Sequence, residues 1–171
     1  MEFIEKYLQG GDLRSIGISE KLLKLIKNQK DFDILFNYLN NSNRLISMRA
    51  ADAIEKITIK QPQYLKSHKK EILQLTSKPI EKELKWHLAL LIPRLNLTIK
   101  EIEGQWEILQ TWASNTSESK IVRVNSLQAL YELSNKSPDL ILEFNTIINQ
   151  IESEKIPSIN ARIRKFQNSH P

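Results

Sequence analysis

Apolar residues recur along this chain at helical spacing, and the same stripe returns at a fixed distance. Ile46, Ala50, Ala53, Ile54 and Ile57 make one stripe. Leu84, Leu88, Leu91, Ile92 and Leu95 repeat it 38 residues later, and Val122, Ser126, Ala129, Leu130 and Leu133 repeat it again after the same step. Steps of three and four residues place each set on one face of an α-helix. A helical pattern with a period of this length marks an α-solenoid, in which each repeat buries its apolar face against the next.

The remaining elements follow from local signals. Glu2–Gln9 is predicted as a short helix with Phe3, Ile4, Tyr7 and Leu8 inward, stopped by Gly10-Gly11-Asp12, since paired glycines favour a turn. Ser19 is predicted to cap a helix through about Lys27, and Asp31 to cap another through about Leu39, both being residue types favoured at that position. Asn40–Asn43 reads as a loop before an inner helix over 44–60. Pro62 stands near the start of an outer helix carrying Leu65, Ile72 and Leu75, followed by an inner helix at about 81–95. Thr98 and Glu101 have capping-box spacing and open an outer helix with Ile102, Trp106, Leu109 and Trp112. An inner helix over 119–135 follows. Ser137-Pro138-Asp139 starts an outer helix with Phe144, Ile147, Ile148 and Ile151, and Pro157 precedes a short last inner helix, truncated near Gln167. No segment shows sustained period-two alternation, so no strand is predicted. With no long Gly/Ser/Pro linker, residues 1–171 read as one domain.

Ile46–Ile54 and Val122–Leu130 resemble the inner-helix signature of HEAT repeats. That signature runs as an aliphatic residue, often an Arg, two variable positions, a small residue and Ala-Leu near the end. Leu84–Leu95 matches more loosely, with Lys85 at the Arg position and Pro93 intruding; Ile159, Ile163 and Phe166 supply a fourth copy at an offset of 37. The resemblance covers roughly residues 30–167. It implies an all-α, right-handed α-solenoid (superhelix) of about four HEAT-like helix pairs with N-terminal capping helices. It also implies that the second helix of each pair lines the concave side. Pro93 lacks an N–H and is expected to kink its helix near Ala89–Leu90.

The repeat also serves as a ruler. At about 100° per residue, Arg49, His87, Asn125 and Arg162 fall on the flank where inner helices approach one another. Met48, Trp86 and Val124 lie farthest from the core, as do Asp52, Leu90, Gln128 and Lys165, and Glu55, Pro93 and Tyr131. These rows describe a groove with an acidic end at Asp52 and Glu55. Its centre is apolar (Trp86, Leu90, Val124, Tyr131), and its other end is basic (Arg162, Arg164, Lys165). Exposed apolar patches mark contact sites, and Trp and Tyr dominate binding hot spots. The expected partner-binding set is therefore Trp86, Leu90, Val124, Gln128, Tyr131, Asp52, Arg49, Arg162 and Lys165.

Composition narrows the chemistry. There is no cysteine, which excludes disulfides, thiolate metal sites and cysteine nucleophiles. The four glycines form no phosphate loop, and the three histidines have no ligand spacing. His87 has Leu91 four residues on, while Trp106 and Trp112 lie on a core stripe and read as packing residues. No catalytic residue, metal or cofactor is expected. The longest apolar run, Leu88–Ile92, is far short of a membrane span of ~20 residues, and the first residues carry no secretory pattern; a cytoplasmic protein is expected. The expected function is non-enzymatic: an adaptor or scaffold that holds a protein or peptide partner in the groove. The net charge of +5 supports a second reading, nucleic-acid binding. Its enzymatic form is a resemblance to alkylpurine DNA glycosylases built of HEAT-like repeats, which use a basic concave channel, aromatics and an aspartate. Trp86, Tyr131 and Asp52 lie on the groove rows, but no motif of that family matches residue by residue. The run Lys66, Lys69, Lys70 reads as a solvated face.

Overall fold

The computed structural model describes residues 2–9, 19–137 and 139–169, with the side chains of residues 2, 3, 19, 20 and 169 outside that description. The expectations for Phe3, the Gly10-Gly11-Asp12 turn, Ser19 as a cap and Pro138 fall on residues or side chains outside it. Among the described residues the chain is all-α, with the paired-helix architecture of a HEAT-like solenoid and no strand. It divides into two compact units, Met1–Lys69 and Lys70–Pro171.

The first unit holds α1 (Glu2–Leu8), α2 (Ser19–Leu25), α3 (Gln29–Asn37) and α4 (Arg44–Lys60). α3 begins two residues before the predicted cap. Asn28, not Asp31, caps it: the Asn28 side chain accepts from the Asp31 amide at 3.0 Å, and the Asp31 carboxylate accepts from the Lys27 amide at 3.1 Å. Asn ranks with Asp at this position, and Asp31 adds negative charge in the first turn, near the positive end of the helix dipole. α3 runs into a 3₁₀ turn, Tyr38–Asn40, and α4 is capped by Asn43 through the Leu45 amide. The stripe Ile46, Ala50, Ala53, Ile54 and Ile57 is buried, as are Phe32, Leu35 and Phe36 opposite it. Residues Pro62–His68 are 3₁₀ rather than α, a frequent state of first helical turns, and they pack on α4 through buried Leu65.

The second unit holds α5 (Lys69–Thr76, from its second residue), α6 (Lys82–Leu91), α7 (Ile99–Ser114), α8 (Lys120–Ser134), α9 (Asp139–Glu152) and α10 (Pro157–Ser169). α8 is its axis and touches α6, α7, α9 and α10. Its stripe Val122, Ser126, Ala129, Leu130 and Leu133 is fully enclosed, with Trp106, Leu109 and Trp112 of α7 and Phe144, Ile147 and Ile148 of α9 in the same core. Full burial of one Leu or Ile side chain is worth about 1.5–3 kcal/mol. The capping box of α7 is complete: Thr98 N–H donates to Glu101 at 2.7 Å, and Glu101 N–H to Thr98 Oγ1 at 3.3 Å. α10 runs to Ser169, two residues past the predicted end.

Pro93 acts differently from expectation. α6 stops at Leu91 and the chain continues as a 3₁₀ turn, Ile92–Arg94, with Pro93 at its second position and buried. The missing N–H of proline costs little in a first helical turn, so the helix changes type instead of kinking at Ala89–Leu90. Buried Pro93 is thereby removed from the outward row on which the phase count placed it.

Candidate functional site

Two rows of the inner helices are occupied by internal bonding. One row is 47, 85, 123 and 160. Ser47 Oγ donates to the Leu39 carbonyl at 2.7 Å, Arg123 Nε to the Ala113 carbonyl at 2.7 Å, and Asn160 Nδ2 to the Glu152 carbonyl at 3.1 Å. Each thus satisfies a carbonyl at the end of the preceding helical segment, where intrahelical donors run out. Lys85 and Arg123 reach the turn that leads into the following inner helix. Lys85 pairs with Glu118, and Arg123 holds Glu154 in a fork of 2.8 and 2.7 Å.

The second row is 49, 87, 125 and 162. Arg49 is 8% exposed and its Nη1 donates to the Leu8 carbonyl at 3.0 Å. His87 is buried. Asn125 Nδ2 donates to the Trp86 carbonyl at 3.0 Å, tying α8 to α6, and Arg162 Nη1 donates to Gln128 Oε1 at 2.5 Å, tying α10 to α8. Arg49 therefore stands inside the first unit rather than on an open face. Its long stem and fork suit it to a carbonyl that would otherwise go unpaired.

The other groove residues separate by unit. In the first unit Asp52 is half-buried and paired with Lys56 at 2.6 Å, one helical turn on. In the second, Trp86, Leu90, Val124, Gln128 and Tyr131 are half-buried and Lys165 is exposed. Trp86 leans on the core and stands edge-on to His87, with ring centres 5.4 Å apart. Tyr131 stacks on Phe166 at 4.6 Å, which draws its ring toward α9 and α10. Gln128 lies between Glu132, to which it donates at 2.8 Å, and Arg162. The apolar centre is thus a half-buried band on α6 and α8 and not an open patch.

Beside this band the N-terminal parts of α8 and α10 border an open depression of about 460 Å³. Its lining includes Lys120, Ile121, Val124, Ala161, Arg162 and Lys165, and none of the described residues that line it is acidic. Val124, Arg162 and Lys165 were expected on the binding face. Lys120, Ile121 and Ala161 were not, although Ala161 follows Val124 by one repeat step of 37. Ile121, 46% exposed, lies one position from the buried stripe.

Away from the inner helices, sequence reasoning missed a polar cluster in the first unit. His68 Nε2 lies 2.7 Å from Asp33 Oδ1, and the His68 ring stacks on Phe36 with ring centres 3.8 Å apart. Gln29 Nε2 donates to Asp33 at 2.7 Å and to the Tyr64 carbonyl at 3.0 Å. The hydrogen bond from Gln29, against the opposing effect of burial and with help from His68, holds the Asp33 carboxyl below its ordinary value of 3.8. The partners are 35 residues apart, so no local spacing could have joined them. Trp106 and Trp112 are buried packing residues as expected, with Trp106 Nε1 donating to Glu143 at 2.8 Å. No group of three or more potential metal ligands forms among the described residues, and no helix there is long and apolar enough to cross a membrane.

No curated protein and no solved structure matches this chain. HEAT repeats generally mediate protein–protein interaction or scaffolding. The family model described as the HEAT repeat domain matches residues 11–169, nearly the whole chain, and the chain belongs to that family.

Proposed function

We propose that this protein is a non-enzymatic adaptor that holds a partner protein segment across the inner helices of its second unit. The observation that carries this reading is the half-buried band formed by α6 and α8, continued by α10. α6 and α10 both pack on α8, and Trp86, Leu90, Val124, Gln128 and Tyr131 keep part of their surface open along it. Half-buried aromatic and aliphatic side chains are already fixed by the core, so a partner that covers them loses little side-chain entropy on binding. Arg162 and Lys165 place positive charge at the α10 side of the band and set the sign of the partner segment. Asp52 is engaged by Lys56 and Arg49 by Leu8, so the reading is confined to the second unit.

The test is selection of random peptides displayed on phage against the full chain, followed by binding measurements on the enriched sequences. Val124→Asp should weaken them at least about tenfold, or about 1.4 kcal/mol, with the circular dichroism spectrum and melting temperature kept close to the parent. Enriched peptides that bind Val124→Asp and Leu90→Asp as well as the parent would place the contact elsewhere. Failure to enrich any peptide would remove the reading.

A further inference from the structure

The depression between α8 and α10 has a chemistry of its own. Along α8, residues 120, 124, 128 and 132 lie one above another at four-residue spacing. They read Lys, Val, Gln and Glu. Positive character is thus confined to the first turn of that stripe and is cancelled at its far end. On α10 the facing residues are Ser158, Ala161, Arg162 and Lys165. Three cations therefore surround a small apolar floor of Ile121, Val124 and Ala161.

Geometry limits what fits. From Lys120 to Gln128 the helix rises about 12 Å at ~1.5 Å per residue, the length of about four extended residues at ~3.3 Å each. The volume of about 460 Å³ lies within the ~300–1,000 Å³ usual for ligand pockets. A nucleic-acid strand would leave so short a cleft at once. It would then meet Glu132, at the end of the α8 stripe, or Glu118, just before α8 and already paired with Lys85. Tight polyanion binding needs cations that continue along the backbone. A short acidic segment needs only three cations and a place for one apolar side chain.

We infer that this cleft takes a short acidic segment of a partner protein, with carboxylates on Lys120, Arg162 and Lys165 and one aliphatic side chain seated on Ile121, Val124 and Ala161. The assignment rests on the adaptor reading above and adds the chemical class of the partner segment. Lys120 and Lys165 are exposed and Arg162 is half-buried, so each cation keeps surface on which a carboxylate can land. Desolvation by the apolar floor then strengthens each charge pair over its value in bulk water.

Fluorescence anisotropy with the full chain decides the matter, using three labelled probes. The first is a synthetic peptide of about six residues with one leucine among glutamates, the second its lysine counterpart, the third a single-stranded oligonucleotide of similar length. The acidic peptide should bind, the lysine peptide should not, and K120E/K165E should weaken the acidic peptide at least about tenfold, or about 1.4 kcal/mol. Ile121→Ser should weaken it severalfold while leaving its salt dependence unchanged. An oligonucleotide that binds more tightly than the acidic peptide, and loses affinity steeply with salt, overturns the inference in favour of nucleic acid. If the acidic peptide fails while phage-selected peptides bind in a Val124-dependent way, the acidic assignment is wrong and the adaptor reading stands. If neither binds, both fall together.

Discussion

Removing the Glu154 carboxylate from the turn between α9 and α10 should cost this protein about 2 kcal/mol. That figure lies between the ~3–5 kcal/mol for breaking a fully buried pair and the ~0–1 kcal/mol typical of surface pairs. The Arg123 side chain is 1% exposed, and its guanidinium is bonded to the Ala113 carbonyl and to both oxygens of Glu154. Glu154 itself is 26% exposed, so water can reach it and the penalty sits below the fully buried case. Glu154→Ala leaves a buried cation with a single carbonyl partner. Glu154→Gln keeps an acceptor but loses the charge, and should cost about 1 kcal/mol, since hydrogen bonds to charged groups exceed neutral ones by roughly that amount. Arg123→Ala removes the cation, the packing of its stem and the partner of the α7 carbonyl, and should cost about 3–4 kcal/mol.

Urea unfolding followed by circular dichroism measures all three, and for a chain of this length about 2 kcal/mol lowers the melting temperature by roughly 4–8 °C. The double variant supplies the coupling energy, expected at about 1.5–2 kcal/mol. Raising salt from ~0.1 to ~1 M should change the Glu154→Ala penalty little, because buried charges are poorly screened. A Glu154→Ala penalty under about 0.5 kcal/mol, or a coupling energy near zero, would refute the reasoning. Either result would mean that water satisfies the guanidinium and that the turn is not fastened by it.

Three further outcomes follow from single residues. Ser126 is fully buried and its hydroxyl has no hydrogen-bond partner among the described residues, so Ser126→Ala should raise stability by about 1 kcal/mol; a loss measured by urea unfolding would show that the hydroxyl is satisfied. Lys155 has φ of 56° between α9 and α10, a region that costs L-residues roughly 1–2 kcal/mol. Lys155→Gly should therefore gain up to about 1 kcal/mol after the extra unfolded-state entropy of glycine, and Lys155→Val should lose stability, both read by urea unfolding. Asp33 is held below its ordinary value of 3.8 in the folded state, first by Gln29. Its contribution is thus present above that value and lost as pH falls through the lower, folded one. The stability gap between the parent and Asp33→Asn should be open at about pH 5 and close on further acidification. A gap that stays open at pH 2 would contradict the assignment.

The helix pairs were legible because the stripes that define them are local. Ile46 to Ile57 and Val122 to Leu133 are buried where phase put them. Thr98 and Glu101 close the box that their spacing announced. Helix ends were harder to read. Asn28 and Asp31 are both good caps, and only the path of the chain before α3 decides between them. Pro93 could kink a helix or begin a 3₁₀ turn, and burial of its ring in the core selects the second. The half-buried band was only partly legible. Phase put Val124, Arg162 and Lys165 on one face, and they line one depression, but a side chain's distance from the core stripe says nothing of what a neighbouring helix lays over it. Tyr131 is drawn under Phe166, and Arg49 is turned to a carbonyl 41 residues earlier in the chain. The Asp33–His68 cluster depends on a meeting of α3 with Pro62–His68 that no periodicity encodes.

The repeat itself explains why so little of each inner helix is left for a partner. One row, at 47, 85, 123 and 160, is spent on fastening: in three of its four copies it joins an inner helix to the end of the helical segment before it. The row two residues on joins inner helices sideways where Asn125 and Arg162 stand. Both rows carry polar side chains that bond within the protein. The first row varies among Ser, Lys, Arg and Asn because a carbonyl or a carboxylate can be met by any donor of the right reach. Part of the surface stays exposed on the row between them, Trp86, Val124 and Ala161, and on the row one turn further, Leu90, Gln128 and Lys165. Side-chain size falls along the first of these toward α10 while positive charge rises along the second. A depression forms where the small residue and the charge coincide. Exchanging Ala161 for a larger apolar residue should therefore close the cleft while leaving every fastening bond in place.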